Sequence, residues 1–583
     1  MTKHTKHTKH TKHTKHTKNT KHTKHTKHTE HTKHTKHTKH TKHTEHTEYK
    51  ICKQAQNLII ALTSNKILLK YTKYLSEIVN KFITNPTHIH TLERIFAIKN
   101  KINTHTQRQT GTNDTLLAKS GTDLGNTLLA KSGKPFVFIQ HYEDINANQQ
   151  IPKFIDLFKY LFTIINFNKH FTSEELSSIQ NIFHKSNHQI YEYLHNDINI
   201  GQKISNIYYK EFHNFTNEIE TKFPSIKFHQ LLINSFTSYA ILEDIENNMT
   251  ALTIGSLEYK SNSNNTPNIS NNTPNTINNI NIKLDNFIYI YSKAKVNVLK
   301  SDKITNKIID RVLFFNELLG TNKLPNKLII FLTNQEKEID NELEHKAHFR
   351  TLNVNSAVTN GQDIIIYREQ ELLKSIFHEL IHFHLLDFRV IPSESNILEY
   401  LKKTHNISED NKYLLYECIT ESLANILNNI YSGHFKKDFK NNFINELIFS
   451  TLQVAKILKI CKYTSWEEFT LINTQTQQTQ QTHTQTHTHT HTHNTKKQFK
   501  QDSCVFSYYI LKLYILLNID EYWSILDKQL KFIPSPDNFT KLIAIFEKGR
   551  TDKHLASIIN SILQSQKQSN NIIVKTLRMT CID

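Results

Sequence analysis

Cysteine is scarce in this chain, with five among 583 residues: Cys52, Cys418, Cys461, Cys504 and Cys581. They are scattered, odd in number and never spaced Cys-x-x-Cys, which excludes a disulfide framework and a thiolate zinc finger and fits a reducing compartment. Long apolar runs are missing too. No uninterrupted stretch reaches the roughly 18 residues of a membrane helix, and the N-terminus has no apolar segment of a secretory signal. The expectation is a soluble, intracellular protein with no membrane partner. Glycine and proline number 10 each, against a wealth of Asn, Ile, Lys and Thr. That bias has the look of AT-rich coding and carries no chemistry.

The formal charge of +19 is unevenly placed. Residues 1–50 are a Thr-Lys-His repeat in which 14 Lys against 3 Glu account for +11 of it. The rest of the chain is only mildly basic, so nucleic acid is a partner only through this tail. Histidine follows the same pattern: 14 of 37 lie in the tail and 5 in the Thr/Gln/His tract from Thr474 to Asn494. Triplet-repeat slippage produces such tracts without selection for binding.

Low-complexity stretches punctuate the chain and suggest its division. The expected segments are a disordered tail at 1–50, a helical segment at 51–110, a linker at 111–134 and a mostly helical region at 135–260. An Asn-rich linker at 261–282 leads to a mixed α/β domain at 283–473. A disordered Thr/Gln/His tract at 474–500 and a helical C-terminal segment at 501–583, packing on that domain, complete the chain. The 111–134 linker holds Thr-Leu-Leu-Ala-Lys-Ser-Gly twice, at 115–121 and 127–133. Two copies are too few to stack as a solenoid.

Apolar periodicity predicts helices over Phe154–Phe167 and from the capping box Thr172-Ser-Glu-Glu175 through Leu194. A third should run over Ser301–Leu319, with Ile304, Ile308, Val312, Phe315 and Leu319 in one stripe and Gly320 ending it. Strands are expected at Phe287–Tyr291, Lys327–Leu332, Leu352–Thr359 and Gln362–Tyr367. The last two flank Asn360-Gly361, a pair suited to a tight hairpin. The fold class is α+β, a mixed sheet with helices.

After the hairpin comes Glu371–Phe388, a helical pattern carrying His378-Glu379-Leu380-Ile381-His382. Residues four apart project from one helix face, so both imidazoles can reach one metal ion, with Glu379 beside them as general base. Zinc suits two imidazoles and a carboxylate. A metzincin third ligand is excluded, because Leu385 and Phe388 stand where Gly and His are required. Asp387 should be rotated away from the metal. The helix Tyr413–Asn428 offers two carboxylates on one polar face. Glu421 is preferred, with Asn425 one turn on as the partner of a ligand histidine. Glu417, backed by Glu421, is the alternative. Cys418 should be a small buried apolar residue.

His378-Glu-Leu-Ile-His382 with the downstream Glu421-Ser-Leu-Ala-Asn425 resembles the gluzincin branch of the zincin metallopeptidases. A wider set, Val354–Thr359, Ile364–Glu369, Leu386-Asp-Phe388 and Ser507–Lys512, is more narrowly similar to uncharacterised zincin-like proteins of large DNA viruses. It covers about residues 350–512, with Leu423 and Asn425 where an aromatic residue and a carboxylate would be expected. The resemblance implies a zincin-like sheet with an active-site helix, a two-His, one-Glu zinc site and a peptide or protein substrate. It also implies a tyrosine hydroxyl aimed at the oxyanion, for which Tyr508 and Tyr509 are candidates. The rival reading is a zincin-fold structural or interaction protein without turnover, virion-associated in the viral case.

Overall fold

The computed structural model describes residues 54–55, 57–110, 126–129, 135–144, 170–196, 200, 203–204, 239–249, 251–259, 282–292, 298–321, 323–387, 394–408, 413–434, 437–472, 499–565 and 575–582. The Thr-Lys-His tail, the Thr474–Asn494 tract, most of the two linkers and the helix expected at Phe154–Phe167 lie outside these residues.

The protein is a mixed α and β structure. Its strands are β1 (Asn126–Leu129), β2 (Pro135–Asp144), β3 (Ala251–Tyr259), β4 (Ile282–Ser292), β5 (Leu328–Phe331), β6 (His348–Phe349), β7 (Ala357–Thr359), β8 (Ile364–Ile366) and β9 (Lys500–Gln501). Seven form one sheet in the order β1-β2-β3-β4-β5-β8-β7, while β6 and β9 pair separately. Neighbours from β1 to β4 are antiparallel, β4, β5 and β8 are parallel, and β7 returns antiparallel as the free edge. The sheet therefore crosses the boundaries drawn at 134 and 260 from composition. Region 135–260 supplies two of its strands as well as helices, and β1 comes from the second copy of the duplicated heptapeptide.

Side-chain alternation explains why the central strands sit in the middle of three layers. Leu328, Ile330, Ile364 and Ile366 face the large core, and Ile329, Phe331, Ile365 and Tyr367 face the smaller one. The smaller core is closed by α3 (Ser173–Ile182), α4 (Asn187–Asn196) and α5 (Tyr239–Asn248). Thr172 and Glu175 form the expected capping box on α3. The helix expected to continue to Leu194 is broken into α3 and α4 by the turn at 183–186.

The large core holds everything else. Helix α6 (Val298–Leu319) crosses from β4 to β5, begins about a turn earlier than Ser301, and ends at Gly320 with φ 66°. Behind it lie α9 (Leu372–Phe383) and α11 (Tyr416–Ser432), with α7 (Asn341–Lys346), α8 (Thr351–Val354) and α10 (Glu394–Thr404) around them. The expected strand Leu352–Thr359 is thus part helix, since α8 takes its first residues. Helices α1 (Asn65–Thr84) and α2 (Pro86–Thr110) join the same core. Tyr71 of α1 hydrogen-bonds Thr451 of α12 (Lys437–Ile460) at 2.8 Å. After α13 (Trp466–Thr470) and β9, a π-helix at Phe506–Leu511 runs into α14 (Lys512–Leu517), followed by α15 (Ile519–Ser524), α16 (Pro536–Arg550) and α17 (Lys553–Gln564). These pack in the large core beside α11 and α12.

Residues 575–582 form a strap through the interior, unforeseen from sequence. Leu577, Met579, Thr580 and Cys581 are all at most 3 % exposed. Met579 and Thr580 N–H donate to Glu371 Oε1 at 2.6 and 2.7 Å, and Thr580 Oγ1 and Cys581 N–H donate to Glu446 Oε2 at 2.8 and 3.0 Å. Lys512 Nζ donates to Met579 O at 2.6 Å. Buried ions are tolerated only when so satisfied, and unpairing one costs about 3–5 kcal/mol. Deleting residues 575–583 should therefore lower unfolding stability by at least about 5 kcal/mol, because Glu371 and Glu446 lose partners together. Urea melts of the deleted and full chains measure it, and coincident curves would show the strap to be dispensable.

Candidate metal centre

Every residue of α9 is buried. Its apolar face, with Ile376, Phe377, Leu380 and Ile381, enters the large core and turns His378 and His382 to the opposite side. Glu371 begins the helix in the left-handed conformation, φ 61°, which a non-glycine residue adopts only when its surroundings hold it there. Here the holding groups are the strap amides and Lys337 Nζ, 2.7 Å from Glu371 Oε2.

The two imidazoles meet through their Nε2 atoms at 3.1 Å. Each Nδ1 is fixed from behind by a carboxylate: His378 Nδ1 to Glu421 Oε2 at 2.9 Å, and His382 Nδ1 to Asp387 Oδ2 at 2.7 Å. A proton on each Nδ1 leaves both Nε2 atoms as lone-pair donors. Glu417 Oε2 faces the same point, 3.3 Å from His378 Nε2 and 3.4 Å from His382 Nε2. It is buried without a hydrogen bond of good geometry. Among the described residues, His378, His382 and Glu417 form the one cluster able to hold a metal ion, with ligand atoms all within 4.8 Å of one another.

This corrects the preference for Glu421. Helices α9 and α11 run so that Lys374, one turn before His378, faces Glu421. Lys374 Nζ donates to both Glu421 oxygens at 2.8 Å, so Glu421 backs a histidine while Glu417 meets the Nε2 atoms. Asn425 is a second correction. Its amide donates to Glu446 Oε1 at 3.0 Å and to Met579 O at 3.4 Å, and it serves no histidine. Asp387 is a third. The helix ends at Phe383, and Leu385 with φ 56° turns the chain back, bringing the carboxylate under His382. Cys418 is buried in the core as expected.

Electrostatics show what this cluster lacks. Burial disfavours charge on His382, yet the Glu417 and Asp387 carboxylates outweigh it and push its pKa up to about 10. His378 moves upward for the same reason, burial being overcome by Glu417 and Glu421. Glu417 is opposed by burial but held well below the usual carboxylate range by the two imidazoles. The site attracts positive charge at the point where three acceptors converge. Two imidazoles and one carboxylate suit a borderline cation such as zinc, so the donor set fits the expected metal.

Around the cluster lies a cleft of about 250 Å³, bounded by β7, α9, Glu379, Tyr416, Tyr508 and Met579. The Tyr508 ring centroid is 6.0 Å from that of His378, and that of Tyr416 is 5.8 Å from His382. Burial, reinforced by Glu417, Glu379 and Glu421, keeps the Tyr508 hydroxyl protonated. Tyr509 points elsewhere: its hydroxyl donates to Leu577 O in the core. Tyr416, Lys374 and Asp387 were missed from sequence. Lys374 carried a signal, since a lysine one turn before His378 on a buried helix needs a carboxylate opposite.

Glu417→Gln should abolish stoichiometric zinc binding while leaving the metal-free protein folded, because it removes a ligand and no hydrogen-bonded partner. Glu421→Gln should retain weakened binding, by about 10- to 100-fold, and lower the melting temperature by unpairing Lys374. Competitive zinc titration beside thermal melts separates the two. Equal zinc affinities in both variants would refute the assignment.

Set against known proteins, the chain matches no family model, no curated protein and no solved structure, so the chemistry of this site rests on its own geometry.

Proposed function

We propose that the protein is a zinc-dependent peptidase of gluzincin type, with His378, His382 and Glu417 as metal ligands and a zincin-like catalytic region. The observation that carries this reading is the convergence of two imidazole Nε2 atoms and Glu417 Oε2 on one buried point that favours positive charge. Bound there, zinc supplies Lewis acidity for a carbonyl and lowers the pKa of water toward about 7.

The remaining steps belong to the chain. Glu379, buried and lining the cleft beside His378, takes a proton from the attacking water and delivers it to the leaving amine. The Tyr508 hydroxyl, kept protonated, donates to the developing oxyanion. Strand β7 aligns the substrate. Tyr367 N–H donates to Ser356 O at 2.9 Å, and antiparallel alternation then turns the N–H and C=O groups of Ala357 and Thr359 toward the open edge. An extended peptide laid there gains main-chain hydrogen bonds beside the reacting groups. Asn360-Gly361, with Gly361 at φ 87°, closes the hairpin that presents this edge.

Among the described residues no helix is long and apolar enough to cross a membrane, and Cys418 and Cys461 are free and buried. Free thiols support placing the activity in a reducing, intracellular compartment.

Glu379→Gln should keep zinc and fold while lowering peptide hydrolysis about 10²- to 10⁴-fold, since an amide cannot accept the water proton. Tyr508→Phe should lower kcat about 10²-fold or more with KM little changed. A zinc-loaded wild type that cleaves nothing in a broad peptide library would favour a structural protein that keeps the metal without turnover.

A further inference from the structure

Behind the proposed metal centre, the buried lysines Lys337, Lys374 and Lys512 are set among the buried carboxylates Glu371, Glu421 and Glu446, all at most 2 % exposed. A buried ammonium is costly unless its N–H groups find acceptors.

Hydrogen bonds and cleft lining separate these lysines. Lys374 has both Glu421 oxygens and the Met579 sulfur at 3.6 Å, so its three N–H groups are engaged. Lys512 donates to Met579 O and does not line the cleft. Lys337 is different. Its ammonium is 1 % exposed and donates to one acceptor, Glu371 Oε2, whose carboxylate is shared with two strap amides. Burial therefore outweighs the neutralisation by Glu371 and pulls the Lys337 pKa down to about 8. Lys337 lines the same cleft as the metal ligands.

Ser356 supplies the second group. Its carbonyl is fixed by Tyr367 N–H at the start of the edge strand, and its hydroxyl is buried with no hydrogen-bond partner while the residue lines the cleft. A buried hydroxyl left unpaired costs about 1–3 kcal/mol, and a ligand oxygen beside it recovers that loss. Ser375, one residue after Lys374, adds polar lining to the same cleft.

We propose that the inner end of the cleft is a subsite for a carboxylate side chain of the substrate, held by the Lys337 ammonium and the Ser356 hydroxyl. It rests on the peptidase reading for what is cleaved, while the binding itself needs no metal. The preferred substrate then carries Glu or Asp close to the scissile bond. The carboxylate takes the open N–H groups of Lys337 and the hydroxyl hydrogen of Ser356.

The test uses short peptides, identical but for Glu, Gln, Leu or Lys scanned across the positions flanking the cleaved bond. In wild type one position should favour Glu over Gln and Leu by about tenfold or more in kcat/KM. Ser356→Ala should shrink that ratio, Lys337→Met should erase it, and Lys337→Arg should keep a preference for Glu over Gln. Anisotropy titration of the same peptides against metal-free wild type should show the Glu peptide binding tighter than the Gln peptide. Cleavage with no preference for Glu at any position overturns the subsite and leaves the peptidase reading standing. Selective binding of the Glu peptide to metal-free protein that never cleaves it, lost in Ser356→Ala, sustains the subsite and removes the peptidase reading. A Glu preference unchanged in Ser356→Ala also overturns the assignment, whether or not Lys337→Met folds.

Discussion

His378 Nε2, His382 Nε2 and Glu417 Oε2 are held within hydrogen-bonding range of one another in a buried site whose carboxylates favour a positive charge there. Lone pairs so placed repel unless a proton or a cation lies between them. The surrounding structure looks arranged to sustain that tension. Glu421 and Asp387 fix the outward nitrogens, Lys374 fixes Glu421, and the packed apolar face of α9 keeps the helix from rotating the imidazoles apart.

Fixing those groups requires a charged interior, and the interior is made tolerable by backbone. Glu371 and Glu446 collect amide hydrogens from the strap rather than relying on lysines alone. Amides cannot drift as long side chains can, so the carboxylates keep their positions and so do the ammonium groups paired with them. The same strap places Met579 in the cleft wall. Core and cleft are thus one construction, and a change in the strap reaches the site through Glu371 at the head of α9.

The sequence showed most plainly what depends on local spacing. The interval from His378 to His382 places two imidazoles on one face whatever surrounds them, and Asn360-Gly361 turns a hairpin by itself. Gly320 ends α6 for the same local reason. What stayed hidden depends on register between distant segments. Whether Glu417 or Glu421 meets the Nε2 atoms is set by how far α11 slides along α9, and the Lys374–Glu421 pair sets it. Asp387 was hidden by one left-handed residue, Leu385, that a helical projection does not foresee. Asn425 sits on the expected helix face yet meets Glu446 and the strap, which no motif announces. The sheet was underread because β2 and β3 fall between tracts that resemble linkers, although Phe136-Val-Phe-Ile139 is rich in strand-forming residues.

The π-helix at Phe506–Leu511 separates two adjacent tyrosines by role: Tyr508 lines the cleft and Tyr509 anchors the strap. A π-helix is an α-helix widened by an extra residue, and removing one residue from it advances the phase of everything on one side by about 100°. A single-codon deletion in this turn would leave composition and apolar content almost untouched. It would swing one of the two hydroxyls out of its place, so the chain could keep its core and its His378–His382–Glu417 cluster while losing either a donor in the cleft or a tie to the strap.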